Sequence, residues 1–234
     1  MSDNAILPPE VDLDSLFHRK SLFDSVRNLD DAGFQIVRGS KERVTVFGHR
    51  SLPGYLFKKF LRTVEHSYEK QLRKYERRVG SARALRAHLD ALDIRSLVVP
   101  RKWLCELPPG FRSGGRPEYI VVVEKYDLLS RERTKRRYRK VPRDTVRDLC
   151  TIFYAFKGVD FSARNTPFTP EGKIAFIDTG FLSRITEDLS FRRASYEKYV
   201  HKKLLTSKSK RYAMSLWDEF RKRGDLLRGL SGQP

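Results

Sequence analysis

The sequence predicts an α+β protein in which a small antiparallel sheet is followed by a mostly helical region. Between Gly33 and Phe60, three runs rich in aromatic and β-branched residues are separated by glycine-containing turns, which is the pattern of an antiparallel meander. Residues 62–92 and 144–157 place apolar residues at three- and four-residue spacing, which predicts helices. Because the strands concentrate in the first half of the chain, we expect sheet and helices to segregate rather than alternate.

Composition limits the class of protein and of partner. The 234 residues suffice for one large domain or two small lobes with a buried core. With 48 Lys and Arg against 29 Asp and Glu, the net charge is +19, which attracts nucleic acid, anionic membranes, acidic proteins or phosphorylated small molecules. The two cysteines, Cys105 and Cys150, provide neither a disulfide framework nor metal-ligand spacing, which favours a reducing compartment.

The sequence also bears on location. The first residues lack the basic and apolar regions of a signal peptide, and no apolar run approaches the length that spans a membrane. We therefore expect a cytoplasmic protein without a transmembrane segment. Delivery into a host cytosol, as for a bacterial effector with another kind of secretion signal, is compatible with the same sequence.

Helical segments flank the predicted meander. After Asp14 and Ser15, apolar residues at roughly helical spacing predict a short amphipathic helix within residues 1–32. The charged region 62–92 is predicted to form one long helix, or two with Gly80 as the break.

The middle of the chain contains its most apolar strand and its most basic run. Residues 94–104 predict a strand interrupted by Pro100, and 119–124 predict a central strand that leads into a hinge at 125–127. In the run 131–143, eight of thirteen residues are basic. We interpret this run as an electrostatic receiver for an acidic substrate or surface; the alternative is a solvated, partly disordered insertion.

Beyond the basic run the prediction is mainly helical. Asp144 is expected to cap a helix that ends at Gly158. Two further helices, around 190–205 and 212–227, contain many Lys and Arg residues, so the second half of the chain is expected to be small and mostly helical.

The segment between the helices predicted at 144–157 and 190–205 contains three polar residues of interest, Asp160, Asn165 and Asp178. Residues 169–172, Thr-Pro-Glu-Gly, form a turn signal between two short apolar runs, so a hairpin should bring Asn165 and Asp178 beside each other. Carboxylate and amide oxygens suit Mg²⁺. The alternative role for Asp178 is a turn in which its side chain caps its own backbone.

The order D-x-x-x-x-N, apolar strand, D-x-G resembles the catalytic and metal-binding loops of the protein-kinase-like superfamily. The resemblance implies that Asp160 orients or deprotonates the attacking hydroxyl, and that Asn165 and Asp178 hold Mg²⁺ against the ATP phosphates. It also allows Arg164 or Lys173 to lie near the developing charge.

The resemblance includes clear departures. Gly158 and Val159 stand where the family has His and Arg, and Thr179 stands where it has Phe. An A-P-E element is lacking as well. Such a reduced carboxy lobe is similar to RIO-type kinases, lipopolysaccharide sugar kinases and the minimal kinases found among bacterial effectors.

The third predicted strand resembles the V-A-I-K strand of the same superfamily, through the residues Tyr-Leu-Phe-Lys that end at Lys58. By this resemblance Lys58 contacts the α- and β-phosphates of ATP. Strand alternation places Leu56 on the same face, where it would touch adenine, and Lys59 on the opposite face. A single glycine, Gly39, replaces the family's glycine-rich loop over the phosphates.

The same resemblance implies two further roles, which are assigned by position along the chain. The helix after the third strand is where the superfamily keeps a Glu that pairs with the strand Lys, and Glu76 is the best match, followed by Glu69 and Glu65. The backbone of Glu124 and Tyr126, at the predicted hinge, would hold the edge of adenine.

Together these resemblances imply a two-lobed kinase-like fold. Its predicted bounds are an N-terminal helical extension at 1–32, an amino lobe at 33–125 and a reduced carboxy lobe at 126–234 with the basic insertion 131–143. The implied function is an ATP- and Mg²⁺-dependent phosphotransferase that acts on a hydroxyl, with a protein serine or threonine as the favoured acceptor. The alternatives are an AMP-transferase that uses the same site, and an inactive basic module that binds nucleic acid or an anionic membrane.

Overall fold

The computed structural model divides the chain into two compact units, one formed by Met1–Ala84 and Pro100–Tyr126, the other by Leu85–Val99 and Asp127–Pro234. The residues that the structure describes are 7–8, 10–38, 44–61, 67–111, 115–157, 162–180, 183–184, 193–194, 196–198, 200 and 206–230. Of these, 38, 157, 183–184 and 223–230 are described by backbone only.

The described strands are β1 (Phe34–Arg38), β2 (Thr45–His49), β3 (Tyr55–Lys59), β4 (Leu97–Val98), β5 (Lys102–Glu106), β6 (Tyr119–Glu124), β7 (Phe156–Lys157), β8 (Ile174–Ala175) and β9 (Ser183–Arg184). The α-helices include α1 (Leu13–Leu16), α2 (Val26–Asp31), α3 (Tyr68–Ala91), α4 (Arg131–Tyr138), α5 (Arg143–Ala155) and α6 (Ser207–Leu230), and 3-10 helices lie at Lys20–Phe23 and Pro109–Phe111.

In the first unit, the N-terminal segment is broken into short helices rather than the single amphipathic helix that the spacing predicts. Asp12 caps α1 by accepting the backbone N–H of Asp14 at 3.0 Å, and Ser25 caps α2 by accepting that of Asn28 at 3.1 Å. Because each cap starts a new helix, the apolar residues of this segment lie on separate short helices, and they reach the same core cluster from there.

A five-stranded sheet with the order β1-β2-β3-β6-β5 forms the centre of this unit, and each neighbouring pair is antiparallel. The predicted meander and the predicted central strand at 119–124 are therefore confirmed. One face packs on the N-terminal segment through residues such as Phe57 and Val122, while the other packs on α3 through Val121, Tyr75 and Val79.

Helix α3 is continuous from Tyr68 to Ala91. Gly80, the candidate break, lies inside it and is exposed, so the glycine costs some helix propensity without interrupting the hydrogen-bond ladder. The boundary between the two units falls within this helix, after Ala84.

In the second unit, α5 and α6 pack against each other. Arg147 donates two hydrogen bonds to the carboxylate of Glu219, at 2.8 and 3.1 Å, and the ring of Tyr154 lies 5.3 Å from that of Trp217. Helix α5 begins one residue before Asp144 and ends at Ala155, ahead of the predicted end. Helix α6 begins earlier than predicted, and most of the helix predicted at 190–205 lies outside the described residues.

The fold class is α+β, as predicted: one unit is built on an antiparallel sheet and the other is mostly helical. The observed division differs from the predicted bounds because residues 85–99 belong to the second unit and residues 1–32 to the first. Cys105 and Cys150 are free cysteines, and burial raises the pKa of each thiol to about 12. Among the described residues, no helix has both the length and the apolar character needed to cross a bilayer.

Candidate functional site

The stretch 162–180 of the second unit forms the predicted hairpin. Its turn is closed by Thr169, whose N–H donates to the carbonyl of Lys173 at 2.8 Å and whose carbonyl accepts the N–H of Gly172 at 3.0 Å. Gly172 has a φ of +96°, a conformation that side chains with a Cβ rarely adopt. The turn signal in the sequence is thus confirmed at the residues that carry it.

The two arms bring the backbone of Asn165 beside the residue that precedes Asp178. The N–H of Ala175 donates to the carbonyl of Pro167 at 2.8 Å, and that of Ile177 donates to the carbonyl of Asn165 at 3.1 Å. Asn165 therefore lies opposite Ile177, the residue immediately before Asp178, and both polar side chains are only partly buried. The carboxylate of Asp178 also accepts the N–H of Gly180 at 3.2 Å, so the turn role that we considered for Asp178 is present as well.

The second arm of the hairpin is held by β4. Strands β4 and β8 pair in parallel, with Leu97 opposite Ile174. The carbonyl of Ser96 accepts the N–H of Ile174 at 2.9 Å, and the hydroxyl of Ser96 donates to the carboxylate of Asp148 on α5 at 2.5 Å. The arm that leads to Asp178 is therefore connected to the main helix of this unit.

The first arm is held by α4, which is the N-terminal part of the basic run. The hydroxyl of Tyr138 donates to the carbonyl of Thr166 at 2.8 Å, and its ring packs on that of Phe168 at 4.9 Å. The hydroxyl of Thr134 accepts the N–H of Phe168 at 3.4 Å. Both Thr134 and Tyr138 are buried.

Residues 131–138 are thus helical, and the interpretation of this part of the run as a partly disordered insertion is wrong. The sequence contains a signal for this helix: Thr134 and Tyr138, four residues apart, are the two uncharged positions of residues 131–140 and share one face of a helix. Ser130 begins the helix by accepting the N–H of Arg133 at 3.4 Å.

The tip of the hairpin also touches α4. The guanidinium of Arg137 lies 5.4 Å from the centre of the Phe168 ring. A Cβ at Gly172 would displace that guanidinium, the end of a flexible side chain, so the position requires glycine mainly for its backbone angle.

In the first unit, Lys58 occupies the predicted place on β3. It lies opposite Val46 and Val121 in the two flanking strands and is buried, with 9% of its surface exposed. Leu56 shares its face of the sheet, as alternation requires, and that face packs on α3.

Lys59 points to the opposite face, also as predicted. Its ammonium group lies 3.0 Å from the carboxylate of Glu118 and 5.4 Å from the centre of the Phe23 ring. Both partners of this ion pair are buried, and a buried charge is tolerated when an opposite charge pairs with it. Strand β3 therefore carries two buried lysines, one on each face of the sheet.

The structure does not bring Glu76 to Lys58. Glu76 is exposed, and the two form no ion pair. The side of α3 that faces the sheet is occupied at this turn by Tyr75, whose hydroxyl accepts the N–H of Phe60 at 2.7 Å. Of the two alternatives, Glu69 pairs with Arg116, and residue 65 lies outside the described residues.

The hinge residues are partly engaged within the protein. The N–H of Glu124 donates to the carbonyl of Arg101 at 3.0 Å, and its carboxylate accepts the N–H of Arg101 at 3.0 Å. A role for the Glu124 backbone in holding a base is therefore limited to its carbonyl oxygen. The side-chain hydroxyl of Tyr126 lies 3.5 Å from the same carboxylate.

Two predicted site residues, Gly39 and Asp160, lie outside the described residues, and Arg164 and Lys173 are exposed on the hairpin. No group of three or more His, Cys, Asp or Glu residues suited to a metal occurs in the described ranges. The donor atoms of Asn165 and Asp178 are an amide and a carboxylate oxygen, which are the ligand types that Mg²⁺ prefers, so this pair fits the metal that the resemblance implies.

Comparisons with known proteins add little to this geometry. No protein-family model matches the chain, and no curated protein matches it. Solved structures that match include the bifunctional kinase-methyltransferase WbdD, with 10% sequence identity and a TM-score of 0.38, over 76% of this chain and 42% of that one. This chain thus spans less than half the length of that structure, and a likeness of this size is too weak to support an argument about function.

Proposed function

We propose that this protein is a kinase-like phosphotransferase that uses ATP and Mg²⁺ to move the γ-phosphate of ATP to a hydroxyl. The observation that supports the proposal is the register of the hairpin, in which the N–H of Ile177 bonds the carbonyl of Asn165 at 3.1 Å. That register puts Asn165 opposite the residue before Asp178, which supports the order that the resemblance to D-x-x-x-x-N and D-x-G implies.

Within this proposal each residue has a defined task. Asn165 and Asp178 hold Mg²⁺, which when bound supplies neutralisation of the phosphate charge. Lys58 contacts the phosphates from β3, on the face where Leu56 offers an apolar surface to the base. Asp160 orients the attacking hydroxyl and accepts its proton.

The acceptor in this proposal is a protein serine or threonine. A hydroxyl acceptor on a protein fits a chain with a net charge of +19, since acidic protein surfaces are attracted to it.

The test is thermal unfolding of the wild type and of Asp178→Asn, each with and without millimolar Mg-ATP. The asparagine still accepts the N–H of Gly180, so the turn is kept while the carboxylate is lost. A ligand that binds only the folded state stabilises it by about 2.7 kcal/mol at a concentration of 100 times its Kd. We expect Mg-ATP to raise the melting temperature of the wild type and to have little effect on the variant.

Asp90→Asn is the matched control, because Asp90 is an exposed carboxylate of the same unit and lies at the end of α3. It should respond to Mg-ATP as the wild type does. An equal rise for Asp178→Asn, or no rise for the wild type, would overturn the proposal. Incubation with ATP labelled at the γ- or the α-phosphate then identifies the transferred group. Label from the γ-phosphate on protein indicates phosphoryl transfer, whereas label from the α-phosphate indicates that the activity is AMP transfer.

A further inference from the structure

We propose that the outer face of α4, continued by Arg143 and the first turns of α6, is a docking surface for the phosphate backbone of a nucleic acid. All of these residues belong to the second unit. The inference goes beyond the proposed phosphotransferase and does not depend on it.

Helix geometry separates α4 into an anchored side and a basic side. Thr134 and Tyr138 face the hairpin and are buried. With 3.6 residues per turn, Arg136 lies about 200° around the helix from Thr134, and Arg133 and Arg139 lie on the same outer side. All three arginines are exposed. Because the inner side is fixed by hydrogen bonds, the outer arginines are presented on a rigid support.

The charge of this outer side is not balanced within the described residues. Glu132 is the one acidic residue of the run 131–143, and it pairs with Lys135 at 3.0 Å. Arg133, Arg136 and Arg139 form no ion pair in the part of the chain that the structure describes. Like charges one helical turn apart destabilise a helix, so the cluster favours association with an anion.

The basic surface continues onto the neighbouring helices. The guanidinium of Arg143, at the start of α5, lies 4.0 Å from the centre of the Tyr212 ring on α6. Lys208 is one turn before Tyr212, Arg211 is its neighbour, and both are exposed. Exposed basic residues therefore occur on α4, at the start of α5 and on the first turns of α6.

The chemistry of the surface favours phosphodiesters over a membrane. Interfacial helices insert an apolar side into the lipid, whereas the outer side of α4 has none. The exposed large apolar residues among those described are Val26, Val37, Leu92 and Leu128, which all lie outside α4. Arginine dominates the surface, and its planar guanidinium matches phosphate oxygens through two parallel hydrogen bonds.

The experiment measures binding of a fluorescein-labelled single-stranded RNA of about 20 nucleotides, by anisotropy, while salt is raised from about 0.05 to 0.2 M. The test variant is the triple substitution Arg133→Gln, Arg136→Gln and Arg139→Gln. Each phosphate contact on a single strand contributes about 0.7 to the slope of log K against log salt. We expect the triple variant to bind about tenfold more weakly at low salt and to lose about 2 from that slope.

The matched control removes three other exposed arginines, Arg19, Arg50 and Arg83, all in the first unit, by the same substitution to Gln. It changes the net charge by the same amount and should keep most of the affinity. Equal weakening by both triples would overturn the proposal, since it would reduce the effect to overall charge.

Two competitors distinguish the other anionic partners. Stronger binding to a polyglutamate peptide than to the RNA, or to vesicles with about one third phosphatidylserine, would also overturn the proposal. Asp178→Asn should bind the RNA as the wild type does, so failure of this inference and failure of the proposed phosphotransferase give different results.

Discussion

The sheet of the first unit and the hairpin of the second are stabilised by different forces. One face of the sheet closes over a cluster of buried residues that includes six phenylalanines. The hairpin is held by hydrogen bonds from two sides, through Tyr138 and Thr134 of α4 and through Ser96, the residue before β4. Apolar burial has no preferred direction, whereas a hydrogen bond depends on the distance and angle between its donor and acceptor. The structure thus uses the directional interactions at the hairpin that carries Asn165 and Asp178.

Phe57→Ala should produce the largest effect. Its ring is fully buried and lies 5.5 Å from Phe17, edge to face, and 5.7 Å from Phe47, stacked. Truncation of a buried Phe leaves a cavity and costs about 3–5 kcal/mol of unfolding free energy. Urea unfolding followed by fluorescence measures this loss.

Val37→Ala is the control, because Val37 is on β1 of the same sheet but is 62% exposed. We expect a change of less than about 0.5 kcal/mol. If Phe57→Ala lowered stability no more than this control, apolar burial would not be the dominant force in this unit.

Tyr138→Phe should have a smaller and local effect. The substitution keeps the ring against Phe168 and removes the hydroxyl that bonds Thr166, which costs about 1–2 kcal/mol. Hydrogen exchange should become faster at the amides of Ala175 and Ile177, which bridge the arms of the hairpin. Exchange in β2 and β3 should not change, and a uniform increase across both units would contradict a local role.

His49→Gln should have the smallest effect, and only in acid. Burial and then the nearby charge of Arg50 lower the pKa of His49 from its ordinary value of 6.5. The unfolded chain therefore takes up the proton more readily, so the stability associated with neutral His49 is present above pH 6.5 and is lost as the pH falls. In the wild type, protonation also conflicts with the N–H that Ser51 donates to Nδ1 at 3.3 Å.

The measurement is the melting temperature between about pH 5 and 8. His49→Gln should show a smaller fall on the acid side than the wild type, while His18→Gln, an exposed control, should follow the wild type. Parallel curves for all three proteins would rule out His49 as the group responsible.

The sequence predicts the apolar parts of this molecule well. The runs that became β1, β3 and β6 are visible because alternation and β-branched residues reflect burial directly, and the hairpin turn is visible because Gly172 requires a positive φ. The support of the hairpin by α4 is hidden, because two polar side chains inside a basic run leave no periodic apolar signal. Which side of α3 faces the sheet is also beyond the sequence, since spacing alone cannot tell Tyr75 from Glu76 as the residue at the interface.

The short strand β4 has a consequence for how this protein could be divided. It belongs to the second unit, yet in the chain it lies between α3 and β5, and the chain passes from one unit to the other after residues 84, 99 and 126. A fragment that starts at Asp127 would retain the hairpin but lack the strand that receives the N–H groups of Ile174 and Phe176. Each unit is therefore built from two separate segments of the chain, and neither can be removed or exchanged by cutting the chain at a single position.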